Sequence, residues 1–200
     1  YSSRRQRQMC IRDRFYYHGE VKNHLELKDK LLSEMKDATL SQPSEWNCSV
    51  QSSFETNTNM TDFSWDLFYN SIKSNLMEMH SELGGNPLSR IDMTEAWLNK
   101  YERGDSQEVH THIGADNCTF SCSYFAQYAL NDARFLFYDP DQTKHLGEFT
   151  KHYDGVVNTW FPDVQEGDII IFPSWIHHQV EPHRSDTTRI TVSANFKITS

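Results

Sequence analysis

The sequence predicts a mainly β fold, a jelly roll with N-terminal helices packed on its outside, and three observations carry that prediction. Before Arg90 apolar residues recur at helical spacing, whereas after it short runs of period-two alternation are broken by turn residues. About eight such runs follow one another with nothing between them long enough to be a crossover helix, which favours antiparallel connections over a βαβ plan. A chain of 200 residues, 37% apolar and 24% charged, can bury one core and is too short for two full domains.

The first fourteen residues, YSSRRQRQMCIRDR, carry five Arg against one Asp, so they sum to +4 and leave −13 for the remaining 186. Lacking any hydrophobic period, they are expected to lie outside the fold; they are similar to translated adaptor read-through at the ends of environmental gene fragments, and a genuine basic arm is the alternative. Residues 15–90 are expected to form a helical support region and residues 91–200 the β core, together one integrated domain. Over residues 20–40, Val21, Leu25, Leu27, Leu31, Leu32 and Met35 recur at roughly helical spacing with Lys and Glu between them, which predicts a surface-packed helix. Residues 41–62 are polar, with Pro43 near their start, and read as an irregular connection able to act as a mobile lid. Trp65, Leu67, Phe68, Ile72, Leu76, Met79 and Leu83 predict a second amphipathic helix, stopped by Gly84-Gly85-Asn86-Pro87.

Strands are predicted at residues 96–101, 108–113, 119–128, 134–138, 155–161, 167–172, 176–181 and 188–198, with turns at Arg103-Gly104-Asp105, Asp139-Pro140-Asp141 and Gln165-Glu166-Gly167-Asp168. Cys10, Cys48, Cys118 and Cys122 show no C-x-x-C spacing, so reduced thiols in a cytosol-like compartment are expected. Cys118 and Cys122, four apart, are expected on one face of a strand as packing residues. The formal charge of −9 disfavours binding to a phosphate backbone, and the low mean hydropathy of −0.71 offers no membrane span.

Three segments carry chemistry. His110 and His112 flank Thr111 in a run of period two, so both imidazoles are expected on one strand face as a bidentate metal grip. A lone pair of this kind is more often hydrogen-bonded or solvent-facing than a ligand set. In residues 167–180, GDIIIFPSWIHHQV, an apolar strand turns a Pro-Ser-Trp corner into a new strand. There parity groups His178 with Ile176 and Val180, pointing inward, and puts His177 with Gln179 and Glu181 on the solvent face. The alternative for His178 is a core histidine with satisfied hydrogen bonds. In residues 188–198 Ile190, Val192, Ala194, Phe196 and Ile198 form one face and Arg189, Thr191, Ser193 and Asn195 the other. A polar face with a single charge suits the lining of a wet cavity, and a guanidinium among hydroxyls suits bidentate capture of a carboxylate. A salt bridge to an acidic side chain is the alternative.

Gly104-Asp105, His110-x-His112, Ser121 with Tyr124, Asp139-Pro140, Gly167-Asp168, Phe172-Pro-Ser-Trp-x-x-His178, Arg189-Ile-Thr191 and Asn195 form a long ordered pattern. Over residues 97–198 it resembles the Fe(II)- and 2-oxoglutarate-dependent oxygenases, and within them the small oxygenase-like proteins common in marine bacteria and phages. The resemblance implies a double-stranded β-helix with a metal at its open mouth. It implies His110, His112 and His178 as catalytic iron ligands, Arg189 as anchor of the distal carboxylate of 2-oxoglutarate with Thr191 assisting, and Tyr124 and Asn195 as further cosubstrate contacts. The implied cofactors are Fe(II), 2-oxoglutarate and dioxygen; the implied outcome is hydroxylation of a small molecule or protein side chain, with release of succinate and carbon dioxide. One departure stands out. The superfamily usually has His-x-Asp or His-x-Glu, and His112 occupies the carboxylate position; Asp116, four residues on, ranks below it as third ligand.

Two other function classes fit parts of the same pattern. A non-catalytic jelly roll that binds a ligand or partner needs no iron, and a three-histidine cupin-type enzyme needs no 2-oxo acid and hence no Arg189. A three-histidine zinc hydrolase lacks an acid positioned to serve as its base.

Overall fold

The computed structural model describes residues 15–56, 60–115, 118–139, 152 and 159–199. Its elements in chain order are β1 (Tyr17–Glu20), α1 (His24–Met35), β2 (Gln51–Ser52), α2 (Trp65–Glu82), β3 (Arg90–Tyr101), β4 (Gln107–His110), β5 (Phe120–Gln127), β6 (Phe135–Tyr138), β7 (Thr159–Trp160), β8 (Asp168–Pro173), β9 (His177–Val180) and β10 (Arg189–Thr199). A six-stranded sheet runs β1-β8-β5-β10-β3-β2 and a four-stranded sheet β4-β9-β6-β7, with every pairing antiparallel. From β3 onward the chain passes back and forth between the sheets, the winding of a double-stranded β-helix, and each predicted run has its strand.

Parity on the large sheet divides its residues between two cores. Outward, Ala96, Leu98, Cys122, Tyr124, Ile169, Ile171, Ile190, Val192, Ala194 and Phe196 meet Leu27 and Leu31 of α1 and Trp65, Phe68, Ile72, Leu76 and Met79 of α2. The apolar face of β10 is thus what the helices cover, because an amphipathic stripe must bury itself against another apolar layer. Inward, Tyr101, Phe125, Ile170 and Phe172 meet Phe135, Phe137 and Val180 of the small sheet.

Some local expectations change. A strand precedes the first helix: β1 pairs along β8, and Val21 N–H continues that edge by donating to Gly167 O at 3.0 Å, so Val21 is buried yet outside α1. Leu25, counted into the apolar stripe, is 72% exposed. The second helix stops where predicted, with Gly84 at φ +72° and Gly85 N–H returning to His80 O at 2.8 Å. Cys118 lies before β5, not on it, with its thiol directed to Phe120 O, whereas Cys122 is in the outer core. Of the strand predicted at 155–161 the described part is β7, and the turn predicted from Asp139 lies outside the described residues beyond Asp139 itself.

Phe68, with no exposed surface, is wedged between Trp65 and Tyr124 where helix meets sheet. Phe68→Ala is expected to cost about 3–5 kcal/mol in urea denaturation; a loss under about 1 kcal/mol would show that the helices do not contribute to one cooperative core.

Candidate metal centre

The register between β4 and β9 places His110 directly opposite His178, and their rings lie 4.2 Å apart between centroids. β4 ends at His110, so His112 is not on the strand; it sits in the following turn, two residues further on. That turn is fastened to the corner after β8, since His112 N–H donates to Ser174 O at 2.8 Å. The His112 ring is stacked with His178 (centroids 5.1 Å, 4° between planes) and backed by Trp97 at 5.8 Å. His110, His112 and His178 thereby present one ligand atom each, all within 4.8 Å of one another. His177 is only half buried, on the opposite parity.

Hydrogen bonding sets which nitrogen each ring offers. His110 Nδ1 lies 2.9 Å from Glu108 O, and His178 Nδ1 lies 2.9 Å from Ile176 O. A carbonyl only accepts, so both Nδ1 atoms carry the proton and both Nε2 atoms keep a lone pair. His112 Nε2 faces His178 Nε2 at 3.2 Å. Two imidazole nitrogens bound to one ion at about 2.1 Å, with angles between octahedral and tetrahedral, lie about 3.0–3.4 Å apart, so the spacing suits a first-row cation. Burial is the main cause that keeps these rings neutral. It lowers the pKa of His110, takes His112 down to about 3 with neighbouring His110 adding to the effect and the Asn195 side chain opposing it, and lowers His178 well below its ordinary value, with His110 and His112 adding to the effect. Neutral imidazole is the form that binds metal. Among the described residues no carboxylate joins the cluster, and Asp116 lies outside them.

Arg189 opens β10 opposite Tyr101 of β3, on the same inner face. It is fully buried, and among the described residues none of its three guanidinium nitrogens has a hydrogen-bond partner. Its charge lies over the rings of Tyr101, Phe125 and Tyr128 at 4.6, 5.5 and 5.8 Å. No salt bridge to Arg189 occurs among the described residues. Burial lowers its pKa, and Tyr101 and Tyr128 oppose that; burial also pushes Tyr101 up to about 12. A guanidinium stays charged in proteins, so five donors in an aromatic cradle lack an acceptor among the described residues.

The remaining predicted positions divide. Thr191, 2% exposed, shares the inner face with Arg189. Asn195 also faces inward but beside His112, bonded to Ser121 and Glu95. Tyr124 is a correction: its ring belongs to the outer core against Phe68, and its hydroxyl meets His24 Nδ1 at 2.7 Å, so the sheet separates it from the histidines. The period of two that puts Phe125 inward necessarily puts Tyr124 outward. Conversely Trp97, Asn99 and Tyr101, alternate residues of β3, line the inner face; Trp97 Nε1 and Asn99 Oδ1 are buried without partners among the described residues. Parity on β3 was the signal that could have found them.

Comparison with known proteins bears on the same region. A family model described as "Putative 2OG-Fe(II) oxygenase" matches residues 95–195. In structure, a prolyl-4-hydroxylase of Pseudomonas putida superposes with TM-score 0.61 at 12% identity, covering 91% of each chain. HygX of Streptomyces hygroscopicus, determined with nickel, 2-oxoglutarate and hygromycin B, superposes with TM-score 0.63 at 8% identity over 90% of this chain and 82% of its own. A prolyl hydroxylase of Trichoplax adhaerens in complex with a hypoxia inducible factor peptide fragment gives 0.62 at 11% over the same shares. At such identities these likenesses establish the fold. No curated protein matches in sequence.

A pH dependence follows from the buried imidazoles. Each is neutral in the fold with a pKa below 6.5, while in the unfolded chain it protonates near 6.5, so below that pH the unfolded state binds more protons. Stability is therefore full above 6.5 and falls as pH drops below it. The melting temperature of metal-free protein is expected to decline between pH 6.5 and 5, and His112→Asn to flatten that decline; a profile flat over this window in the unsubstituted chain would mean the rings are charged or exposed.

Proposed function

The chain belongs to the 2OG-Fe(II) oxygenase family, and from that membership we propose that it is an Fe(II)- and 2-oxoglutarate-dependent dioxygenase that hydroxylates a small molecule or a protein side chain and releases succinate and carbon dioxide. The observation that carries the reading is the guanidinium of Arg189, without a hydrogen-bond partner among the described residues and fully buried on the same inner face of β10 and β3 as Trp97, which backs His112. A buried cation without an anion is costly, and an organic diacid is the ligand that repays it.

His110, His112 and His178 would hold the iron through Nε2. When bound, Fe(II) and 2-oxoglutarate supply the oxidative step, in which dioxygen gives one atom to succinate and the other to a substrate C–H bond as the 2-oxo acid loses carbon dioxide. The chain's own residues bind and shield. Arg189 takes the distal carboxylate in a bidentate grip, and Thr191, two residues along the same face, offers a hydroxyl to it. Tyr101, Phe125 and Tyr128 keep water from that ion pair, which strengthens it. Glu108 and Ile176 carbonyls hold the Nδ1 protons of His110 and His178, so neither ring can rotate its donor nitrogen away. Ile113 and Trp175, 69% and 41% exposed, flank the residues of the His112–Ser174 hydrogen bond and put apolar side chains on the surface beside the histidines. With a net charge of −9, an uncharged or cationic substrate suits the surface better than a polyanion. A three-histidine enzyme that uses no 2-oxo acid would leave Arg189 unexplained.

The test is anaerobic titration with Fe(II) and 2-oxoglutarate, following the visible metal-to-ligand charge-transfer band. Arg189→Ala is expected to raise the 2-oxoglutarate concentration needed by at least about 30-fold, and His178→Ala to abolish the band. A band of undiminished strength at unchanged 2-oxoglutarate in Arg189→Ala would contradict the assignment.

A further inference from the structure

Resting on the oxygenase reading above, we propose that the rings of Trp46 and Phe54, with the carboxylates of Glu55 and Glu108, form a second binding site beside the metal centre, one that takes an ammonium or guanidinium group of the substrate. The rings stand in a row that leads to the histidines. Trp46 and Phe54 lie 5.0 Å apart between centroids, Phe54 meets Trp97 nearly at right angles at 5.2 Å, and Trp97 backs His112 at 5.8 Å. Trp97 is buried, Trp46 is half-buried and Phe54 is 38% exposed, so the row opens to solvent at the end away from His112. Exposed rings contiguous with a reaction site offer a ligand their faces.

The segment that carries the two rings, residues 41–56, is fastened on both sides. Ser41 and Ser52 exchange backbone hydrogen bonds at 2.9 and 2.8 Å, Ser53 N–H donates to Leu98 O of β3 at 3.0 Å, and Ser49 N–H donates to Ser106 O, just before β4, at 3.4 Å. The ring surface is thus formed in advance, with little ordering left for a ligand to impose. Charge decides what that ligand is. Glu55, next to Phe54, accepts the N–H and the hydroxyl of Ser44 with Oε1, both at 2.7 Å; Glu108 Oε1 accepts Asn47 N–H, next to Trp46, at 3.1 Å. The second oxygen of each is without a partner among the described residues, and that of Glu108 is buried. Residues 37–72 contain Asp37, Glu45, Glu55, Asp62 and Asp66 and no Lys or Arg, so the segment brings no cation of its own. Aromatic faces attract a cation through the ring quadrupole, and carboxylates without a counter-ion add to that attraction. Glu108 ties the two sites together: its carbonyl oxygen meets His110 Nδ1 at 2.9 Å while its carboxylate meets the ring-bearing segment. If the rings served only to cap the core, an apolar ligand would bind there as well as a charged one.

The experiment titrates the full chain with n-butylammonium, with its neutral counterpart n-butanol, and with an end-blocked Gly-Lys-Gly peptide, following the indole N–H resonance of Trp46, which is identified by its loss in W46F. Both cations are expected to move that resonance saturably and n-butanol to leave it in place. F54L keeps apolar bulk without a ring face and is expected to weaken cation binding by about 2- to 30-fold. E108Q keeps the acceptor for Asn47 and removes the charge; it is expected to weaken binding by about 2- to 5-fold and to reduce its dependence on salt. Paramagnetic Co(II) in the metal centre is expected to broaden the proton lines of the bound cation, where diamagnetic Zn(II) leaves them sharp. Tighter binding of the peptide identifies a protein side chain as the source of the cation and tighter binding of n-butylammonium a free amine; either supports the site. Binding of n-butanol as tight as that of n-butylammonium, unchanged affinity in both F54L and E108Q, or lines equally sharp with either metal would overturn the proposal and leave the metal centre standing. A chain that takes up no Co(II) would overturn the oxygenase reading and, with it, the cation as part of a substrate.

Discussion

Three imidazole nitrogens gathered within 4.8 Å of one another, with no carboxylate among them in the described residues, are the constraint on which the rest of this structure depends. Lone pairs of neutral nitrogens repel, and burial denies each ring the easy remedy of protonation. The fold holds them there by register: β4 and β9 put His110 against His178, and the backbone bond from His112 to Ser174 brings the third ring over the end of the strand. Shifting β9 by one residue would exchange His178 for half-buried His177 and empty the site of one ligand. A cation bound at that point would take up the lone pairs of the rings together.

Arg189 presents the complementary situation with the opposite sign. Its guanidinium is buried over three aromatic rings with no acceptor among the described residues, on the same inner face of β3 and β10 that carries Trp97 beside His112. One end of the wall wants a cation and the other an anion. Strand spacing of roughly 3.3 Å per residue puts Ser193, opposite Trp97, roughly 13 Å from Arg189, a gap that the long arginine side chain and a five-carbon diacid divide between them. The helices take no part in this wall. They cover the outer face and leave the inner one free to be polar.

Much of this was legible in the sequence because its carriers obey a period. Alternation marked all eight strands of the β-helix, assigned Ile190, Val192, Ala194 and Phe196 to the side the helices cover, and separated inward His178 from His177. The same rule, carried one strand further, excludes Tyr124 from the site, where pattern resemblance had suggested it, and brings in Trp97, Asn99 and Tyr101. Other features have no periodic trace. Whether His112 is on β4 or beyond it depends on a turn closed by Ser174, sixty-odd residues away; β1 is fixed by pairing with β8; and Glu95 meets Asn195 through a bulge that no local sequence announces. Pairing across long separations sets these, and a single sequence does not display it.

X-ray absorption at the iron edge of the anaerobic Fe(II)-loaded full chain, before any 2-oxo acid is added, tests the convergence of the three rings most directly. The account predicts multiple scattering from three imidazoles at about 2.0–2.1 Å and a spectrum that loses one of them in His112→Ala. Two imidazoles and a protein carboxylate, unchanged by that substitution, would contradict it and move the third ligand to an acidic residue elsewhere in the chain.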